Sequence, residues 1–203
     1  MNDRPAPGRS EGSGRVESPN RIETPRLLLI PATIPLLEAE GAATPQRDHS
    51  PRGELEALLG AEVATPWPPP LNDEGSRQWM IRQLRAHPEQ GWGTWYFVLK
   101  RGPGERAIAI GNGGFKGPPS ADGTVEIGYS IVEGYQGQGL GAEAIRALVE
   151  HALGDSRVQR AIAETFGDND PSIRVLEKNG FRRVGVAGEP GALRFERRRE
   201  TPQ

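Results

Sequence analysis

The chain has no cysteine, only three histidines, and no run of apolar residues long enough to cross a bilayer. Without cysteine it can form neither a disulfide framework nor a cysteine-based metal site or nucleophile. The histidines (His49, His87 and His151) lie far apart, without the short spacings of metal-binding motifs, so we predict no metal. The polar N-terminal segment lacks the apolar core of a signal peptide. Together these absences predict a cytoplasmic protein that does not contact a membrane.

Charge of one sign is also missing. The 25 lysines and arginines nearly balance the 27 aspartates and glutamates, for a net charge of -2 and a pI of about 6.0. A surface without a basic excess has no general attraction for nucleic acid, so we predict no nucleic-acid partner. A length of 203 residues suits a single domain with its own core. The sequence leaves open whether the protein is a monomer or a homodimer.

The ends of the chain differ in composition from its middle. Residues 1–20 consist largely of proline, glycine, serine and charged residues, a composition typical of disordered segments. We therefore predict a disordered N-terminal tail over residues 1–20, one domain over residues 21–198, and a short C-terminal tail over residues 199–203.

Within the predicted domain, strand-like and helix-like patterns follow one another. Apolar and β-branched runs between turn residues predict seven strands, over residues 26–31, 95–100, 105–115, 124–132, 160–166, 181–184 and 193–197. Helical periodicity predicts a broken helix over residues 34–60 and further helices over residues 76–86, 140–154 and 170–179. We place the start of the last helix at Asp170, as its N-cap. The order of these elements predicts an α/β fold with a mixed, mostly antiparallel sheet and flanking helices.

One stretch joins a strand, a glycine loop and a helix without a gap. Residues 124–132 alternate as a strand does. Residues 134–141 contain four glycines, which lets the backbone turn sharply and approach a ligand closely. From Leu140 the apolar residues recur every three to four positions, as in a helix. The unpaired N–H groups at the start of such a helix, together with its dipole, attract anions and phosphate above all.

Two familiar phosphate-binding motifs do not fit this loop. A P-loop needs Lys followed by Ser or Thr after its last glycine, but Ala142 and Glu143 follow Gly141. A dinucleotide fingerprint needs Gly-x-Gly-x-x-Gly, and the glycines here are spaced differently. What remains is a pyrophosphate bound by backbone N–H groups within residues 138–142.

The loop Gln-Gly-Gln-Gly-Leu-Gly at residues 136–141 fits the pattern Gln/Arg-x-x-Gly-x-Gly/Ala. It resembles the acyl-coenzyme A pyrophosphate loop of the GNAT N-acetyltransferase superfamily. The longer run from Glu126 to Ala144 is similar to the branch that includes the ribosomal-protein N-terminal acetyltransferases, as are Asn-Asp-Pro-Ser at 169–172 and Lys-Asn-Gly-Phe at 178–181. The resemblance covers residues 21–198 and implies the GNAT fold. The alternative is a glycine-rich hairpin without a ligand.

The resemblance implies acetyl-coenzyme A as co-substrate. In GNAT enzymes the pantetheine arm pairs with the end of the central strand, which a bulge splays there. A backbone N–H of Ile131 or Val132 would donate to the oxyanion, and Asn169 would hydrogen-bond the pantetheine unless it only caps its helix. The predicted cofactor-binding residues are Ser130, Ile131, Val132, Gln136, Gly137, Gln138, Gly139, Leu140, Gly141, Ala142, Asn169 and Ser172.

Transfer to an amine needs groups that move protons. Glu126 is our candidate base because it shares a strand face with Gly128 and Ser130; the alternative is a carboxylate paired within the sheet. Many GNAT enzymes carry a tyrosine general acid seven residues after the asparagine, but here that position is Leu176. Ser172 matches the serine that lies by the cofactor sulfur in the ribosomal-protein branch. It is the second catalytic candidate, unless it is a plain helical residue.

The sequence therefore predicts an N-acetyltransferase that moves the acetyl group of acetyl-coenzyme A to a primary amine in a ternary complex. The alternative is a coenzyme A-binding regulatory domain without turnover. In GNAT enzymes the segment between the first two helices walls the acceptor pocket, so Trp67 joins Glu126 as a substrate candidate, unless Trp67 is a packing anchor. The acceptor stays open between a protein N-terminus, or another peptide amine, and a small-molecule amine.

Overall fold

The computed structural model describes residues 20–42, 52–70, 72–87 and 91–200. Within these residues the strands are β1 (Ile22–Glu23), β2 (Leu27–Pro31), β3 (Glu62–Val63), β4 (Thr94–Leu99), β5 (Ile108–Phe115), β6 (Thr124–Ile131), β7 (Arg160–Phe166), β8 (Arg182–Val186) and β9 (Ala192–Arg198). The helices are α1 (Ile34–Ala42), α2 (Arg52–Leu59), α3 (Glu74–Ala86), α4 (Leu140–Gly154) and α5 (Asp170–Lys178), with a 3-10 turn at Glu133–Tyr135. None of the described helices is both long and apolar enough to span a bilayer.

The predicted elements are confirmed, with small changes at their ends. All seven predicted strands are present within three residues of the expected bounds, and the broken helix is the pair α1 and α2. The sequence missed β1 and β3, which have two residues each and are too short to show a period. Most of the predicted N-terminal tail lies outside the described residues. At the other end, Arg199 donates its backbone N–H to Gln159 at 2.9 Å, so the contacts of the domain reach one residue beyond the predicted boundary.

The strands form one mixed sheet in the order β1-β2-β4-β5-β6-β7-β9-β8, with β3 paired to β5. Neighbours are antiparallel except for β6 with β7 and β3 with β5. The α/β class with a mostly antiparallel sheet and flanking helices is thus confirmed. The connection from β6 through α4 to its parallel neighbour β7 is the unit that the sequence predicted around the glycine loop.

The helices cover both faces of the sheet, as two neighbouring residues of β4 demonstrate. The ring of Trp95 contacts His151 of α4 at a centroid distance of 5.6 Å. The next residue, Tyr96, stacks on Trp67 at 6.3 Å, and Trp67 is hydrogen-bonded to Glu40 of α1. Because successive strand residues point to opposite faces, α1 covers one face and α4 the other. We call these the α1 face and the α4 face.

The core lies on both faces of the central strands. Trp95, Tyr96 and Phe97 of β4 are all fully buried, as expected for a strand covered on both sides. On α4 most of the apolar residues that recur with the helical period are buried against the sheet, among them Leu148 and Val149. Truncating one of these large aromatic side chains to alanine costs about 3–5 kcal/mol in such a core. This packing fixes α4, and with it the loop before α4, on the sheet.

Candidate active site

The central strands β6 and β7 pair only at their beginnings. Thr124, Val125 and Glu126 pair with Arg160, Ala161 and Ile162 of β7. Beyond Glu126, β6 continues to Ile131 beside β5 alone, while β7 continues beside β9. The two strands therefore leave a gap between them, at the end of the sheet where the glycine loop begins. The register of β6 on β5 has no shift, so the gap does not come from a bulge in that pair.

The hydrogen bonds of β6 decide which of its backbone groups face the gap. Lys116 donates its N–H to the carbonyl of Glu126 at 2.9 Å, and Val132 donates its N–H to the carbonyl of Ile110 at 2.9 Å. In an antiparallel pair the direction alternates along the strand. Even-numbered residues of β6 therefore point their backbone groups to β5, and Tyr129 and Ile131 point theirs into the gap. Of the two oxyanion donors that the sequence offered, the N–H of Val132 is already engaged, which leaves that of Ile131.

The gap is widest where β6 ends, and the glycine loop closes it at this wide end. Gly137 and Gly139 have φ angles of 74° and 77°, in the left-handed region that favours glycine. Gly139 is the N-cap of α4, so the first N–H groups of this helix point towards the loop. Gln136 ties the loop to the sheet, because its Nε2 donates to the carbonyl of Ile131 at 2.8 Å.

A cluster of hydrogen bonds from the first strands holds this loop from outside. Arg26 donates from Nε to Glu143 Oε2 at 2.6 Å and from its backbone N–H to Oε1 at 2.8 Å. The hydroxyl of Thr24 donates to the same Oε1 at 2.6 Å, and Arg26 Nη1 donates to the carbonyl of Gln138 at 3.0 Å. Burial alone would raise the pKa of the Glu143 carboxyl, but these hydrogen bonds outweigh it, and the pKa lies below its ordinary value. We call Arg26, Thr24 and Glu143 the loop clamp.

The sequence had no signal that would reveal the loop clamp, since its members are 117 and 119 residues apart. From the sequence alone, Glu143 is only an acidic residue in the first turn of a helix, where its charge suits the helix dipole. The clamp shows that Glu143 also fixes the glycine loop to the start of β2.

Ser172 and Tyr129 meet on the α4 face. The hydroxyl of Tyr129 lies 3.0 Å from Ser172 Oγ, and it donates to the carbonyl of Ser172 at 3.1 Å. Burial raises the pKa of Tyr129 to about 12, although the hydrogen bond with Ser172 acts in the opposite direction. Tyr129 was not among the predicted site residues. Leu176, where many GNAT enzymes have a tyrosine, is fully buried in the core.

The start of α5 corrects one prediction. Asn169, not Asp170, is the N-cap, because its side chain accepts the backbone N–H of Ser172 at 3.2 Å. Asp170 is the first helical residue, where its negative charge suits the helix dipole. The cap uses only the carbonyl oxygen of the Asn169 side chain. The predicted contact of Asn169 with a cofactor stays a prediction.

Glu126 lies on the α1 face, opposite to Ser172. Its carboxylate forms an ion pair with Lys116 at the end of β5, and its side chain is partly exposed. The pairing is the arrangement that the sequence analysis gave as the alternative to a base. The two are compatible, since the carboxylate remains accessible, but Lys116 competes with any amine for it.

Trp67 lies in the core and not on an open surface. It is 6% exposed, and its Nε1 donates to Glu40 Oε1 at 3.0 Å. Asn72 donates to the same oxygen at 3.2 Å. Burial raises the pKa of the Glu40 carboxyl, while the hydrogen bonds from Asn72 and Trp67 oppose the shift. In this arrangement Trp67 acts as a packing anchor, and its contact with a substrate stays a prediction.

Metal-binding side chains do not gather anywhere in the part of the chain that the structure describes. No group of three or more histidine or carboxylate side chains there could hold a metal ion.

The comparisons with known proteins agree on one family. The model of the acetyltransferase (GNAT) domain matches residues 46–182. The chain is 31% identical over 156 residues to the uncharacterized N-acetyltransferase YjdG of Bacillus subtilis (strain 168), covering 77% of this chain and 86% of that protein. It is 28% identical over 110 residues to the ribosomal-protein-serine acetyltransferase of Escherichia coli (strain K12), covering 54% of this chain and 58% of that protein.

A solved structure is similar in fold. RimL, a ribosomal L7/L12 α-N-protein acetyltransferase in complex with coenzyme A, gives a TM-score of 0.56 at 18% identity, covering 88% of this chain and 98% of that one. At this identity the likeness shows the fold alone. The family match and the relatives together show that the chain belongs to the GNAT acetyltransferases, and that it is an N-acetyltransferase.

Proposed function

We propose that the protein transfers the acetyl group of acetyl-coenzyme A directly to a primary amine in a ternary complex. The observation that carries this proposal is the gap between β6 and β7, with the backbone of Ile131 facing it and the glycine loop at its wide end. A domain that only bound coenzyme A is not favoured, because the named relatives are acetyltransferases.

The residues present suit this co-substrate. The pantetheine arm carries amides, which fit as an added strand would beside Tyr129 and Ile131, where no strand pairs with this edge of β6, although the carbonyl of Ile131 already accepts Gln136 Nε2. The first N–H groups of α4, presented by Gly139, suit the pyrophosphate. When bound, acetyl-coenzyme A supplies an activated acetyl thioester. The N–H of Ile131 can then donate a hydrogen bond to a carbonyl oxygen in the gap and stabilise the charge that develops there.

In this proposal, the groups that accept and donate protons lie on opposite faces of β6. On the α1 face, Glu126 accepts a proton from the acceptor ammonium, directly or through water, since most amines are protonated at neutral pH. On the α4 face, the hydroxyls of Ser172 and Tyr129 lie where a leaving thiolate can take up a proton. The raised pKa of Tyr129 keeps its phenol protonated and able to donate.

The acceptor is a small-molecule amine or a peptide amine. A protein N-terminus is one candidate, because one relative is named as a ribosomal-protein-serine acetyltransferase. The proposal keeps the predicted cytoplasmic location. Family membership constrains the co-substrate far more than the acceptor.

The test combines binding and turnover. We expect calorimetry to detect acetyl-coenzyme A binding, and thiol release to appear with at least one amine of a panel. Gly139→Val should abolish binding, because its Cβ would intrude where the backbone must approach the phosphate, at a φ of 77° that favours glycine. Gly134→Val in the same loop is the control, since Gly134 has open space around it. Binding without turnover on any amine would favour the regulatory alternative, and unchanged affinity in folded Gly139→Val would mean that the pyrophosphate binds elsewhere.

A further inference from the structure

A cavity of about 440 Å³ lies on the α1 face beside the candidate active site. Its polar wall comes from the start of α3, with Asn72, Ser76 and Arg77, and its floor from the sheet, with Thr94 and Lys116. The candidate site described above does not use Asn72, Ser76, Arg77 or Thr94. Lys116 connects the cavity with the candidate active site, because it lines the cavity and also forms an ion pair with Glu126.

The strand register connects this cavity to β6. Thr94 pairs with Gly114, and Gly114 pairs with Gly128, so the three residues form one row across the α1 face. Two members of the row lack side chains. A Cβ at Gly128 would meet nothing within 4 Å, and Gly128 is flanked on the same face by Glu126 and Ser130. At Gly114 the Cβ position is instead filled by the backbone of Gly93. The open space above Gly128, which we call the channel, therefore reaches the cavity along Glu126 and its partner Lys116 and not over Gly114.

The charges of the cavity wall have one sign. Among the lining residues that the structure describes, Arg77 and Lys116 are basic and none is acidic. Arg77 forms an ion pair with Glu74 and also interacts with the buried carboxyl of Glu40, while Lys116 pairs with Glu126. The side chain of Glu74 is 64% exposed, whereas that of Arg77 is 3% exposed, so the guanidinium lies buried in the cavity wall beside an exposed carboxylate. A guanidinium carries five N–H donors, more than one carboxylate oxygen can accept.

Binding of an amine at Glu126 changes which of these charged groups are paired. An ammonium group that reaches Glu126 displaces Lys116, which then lacks a counter-charge. If the same molecule carries an acidic group into the cavity, Lys116 and Arg77 gain a new partner and every charge stays paired. A purely cationic acceptor leaves Lys116 unpaired beside Arg77, which is unfavourable.

We propose that the acceptor is a primary amine that also carries a carboxylate or phosphate group, with the amine over Gly128 and the acidic group in the cavity at Arg77 and Lys116. This inference rests on the proposed acetyl transfer and names its substrate class. Gly128 and Thr94 lie two strand spacings apart, or about 10 Å. The amine and the acidic group should therefore be separated by a chain of about this reach.

The first experiment compares acceptors of matched length on the wild-type protein. The panel is 6-aminohexanoate, 6-aminohexyl phosphate, hexylamine and 1,6-diaminohexane. We expect kcat/KM for the better of the two acidic amines to exceed that for hexylamine by about 10- to 100-fold, as for hydrogen bonds to charged groups. Comparison of kcat/KM for the two acidic amines shows whether the cavity prefers a carboxylate or a phosphate. Equal values for acidic amine and hexylamine, or a preference for the diamine, would overturn the inference.

The second experiment tests the location. Gly128→Val fills the channel, and Gly185→Val is its matched control, because Gly185 is another strand glycine with open space around it. In enzyme saturated with coenzyme A, calorimetry should detect the preferred acidic amine in wild type and Gly185→Val, with at least about tenfold weaker binding in Gly128→Val. Lys116→Met should reduce the preference for the acidic amine over hexylamine. Equal amine affinity in Gly128→Val and Gly185→Val would contradict the channel.

The outcomes separate this inference from the proposed function. If acetyl-coenzyme A does not bind, or if no amine releases thiol, the proposed function fails first. If amines are acetylated but the acidic group gives no advantage, only the inference about the substrate class fails. A peptide N-terminus that outperforms every acidic amine, with a rate unaffected by Gly128→Val, would overturn both the class and the channel.

Discussion

Glu126 and Tyr129 are three residues apart on β6, and their side chains point to opposite faces of the sheet. Glu126 is partly exposed and paired with Lys116, whereas Tyr129 is mostly buried against Ser172. The first can accept a proton and the second can donate one. In the proposed mechanism, a single strand thus separates the group that deprotonates the acceptor from the group that protonates the leaving thiolate.

Glu126→Gln tests the accepting side. We expect turnover at pH 7 to fall about 10²–10⁴-fold, the usual loss for a general base. Acetyl-coenzyme A affinity should change little, because the proposed cofactor contacts are made by backbone groups and not by this side chain. Part of the loss should return as the pH approaches the pKa of the acceptor amine, since the substrate then arrives deprotonated. If Glu126→Gln keeps wild-type turnover across that pH range, Glu126 is not the base but only a carboxylate paired within the sheet.

Tyr129→Phe tests the donating side. The raised pKa of Tyr129 means that its phenol is protonated throughout the neutral range, so its loss removes a donor at every working pH. We expect thiol release to slow by about tenfold or more, with a stability loss of only about 1 kcal/mol for the lost hydrogen bond. Tyr135→Phe, in the 3-10 turn nearby, is the control. If both variants release thiol at the wild-type rate, protonation does not depend on Tyr129.

At the scale of elements, the glycine loop is held by groups from three parts of the chain. Gln136 fixes it to the end of β6, α4 packs behind it, and Arg26 bonds to the carbonyl of Gln138. A loop that binds an anion through backbone N–H groups works only if those groups are already oriented. We therefore expect the loop clamp at Glu143 to support cofactor binding without contacting the cofactor.

Glu143→Gln tests the clamp. We expect the KM for acetyl-coenzyme A to rise by about tenfold, with kcat little changed, because the loop loses orientation and not chemistry. Glu38→Gln is the matched control, since Glu38 on α1 forms an ion pair with Arg85 of α3, on the face of the sheet opposite to α4. An equal rise of KM in both variants would indicate a general effect of removing surface charge.

The clamp also has a pH signature. The pKa of Glu143 in the folded protein lies below its ordinary value of 4.5. Its contribution to stability is therefore complete above pH 4.5 and is lost as the pH falls through the folded pKa. Urea unfolding should show a steeper loss of stability below pH 4.5 in wild type than in Glu143→Gln. Parallel curves would mean that the carboxylate gains nothing from its partners.

At the scale of the whole molecule, the sheet is divided at the gap. The backbone of Tyr129 and Ile131 faces the gap, whereas the N–H of Val132 is already bonded to β5. Amide exchange followed by NMR should therefore respond unevenly to coenzyme A. We expect exchange at Tyr129 and Ile131 to slow by about tenfold or more when the ligand binds, as one added hydrogen bond allows. The amide of Val132 should change little, and a uniform response along β6 would argue against an added strand in the gap.

Much of this architecture can be read from the sequence, because its cues are local. Strand alternation, the glycine loop and the apolar rows of α4 all lie within short windows. The sequence could not reveal contacts that depend on distant pairings, such as Arg26 with Glu143 or Lys116 with Glu126. It also could not decide between Ile131 and Val132 as donor, because that depends on the direction of each N–H relative to β5. The family pattern suggested a tyrosine at Leu176, while the tyrosine that meets Ser172 comes from β6.

The short pairing between β6 and β7 has a consequence for the lifetime of the protein against proteolysis. Three residue pairs join one half of the sheet to the other, and a ligand that fills the gap adds the bonds that a missing strand would have made. Binding to the folded state alone raises stability by about 2.7 kcal/mol at a ligand concentration of one hundred times Kd. The lifetime of the protein against proteases should then rise and fall with the supply of its co-substrate.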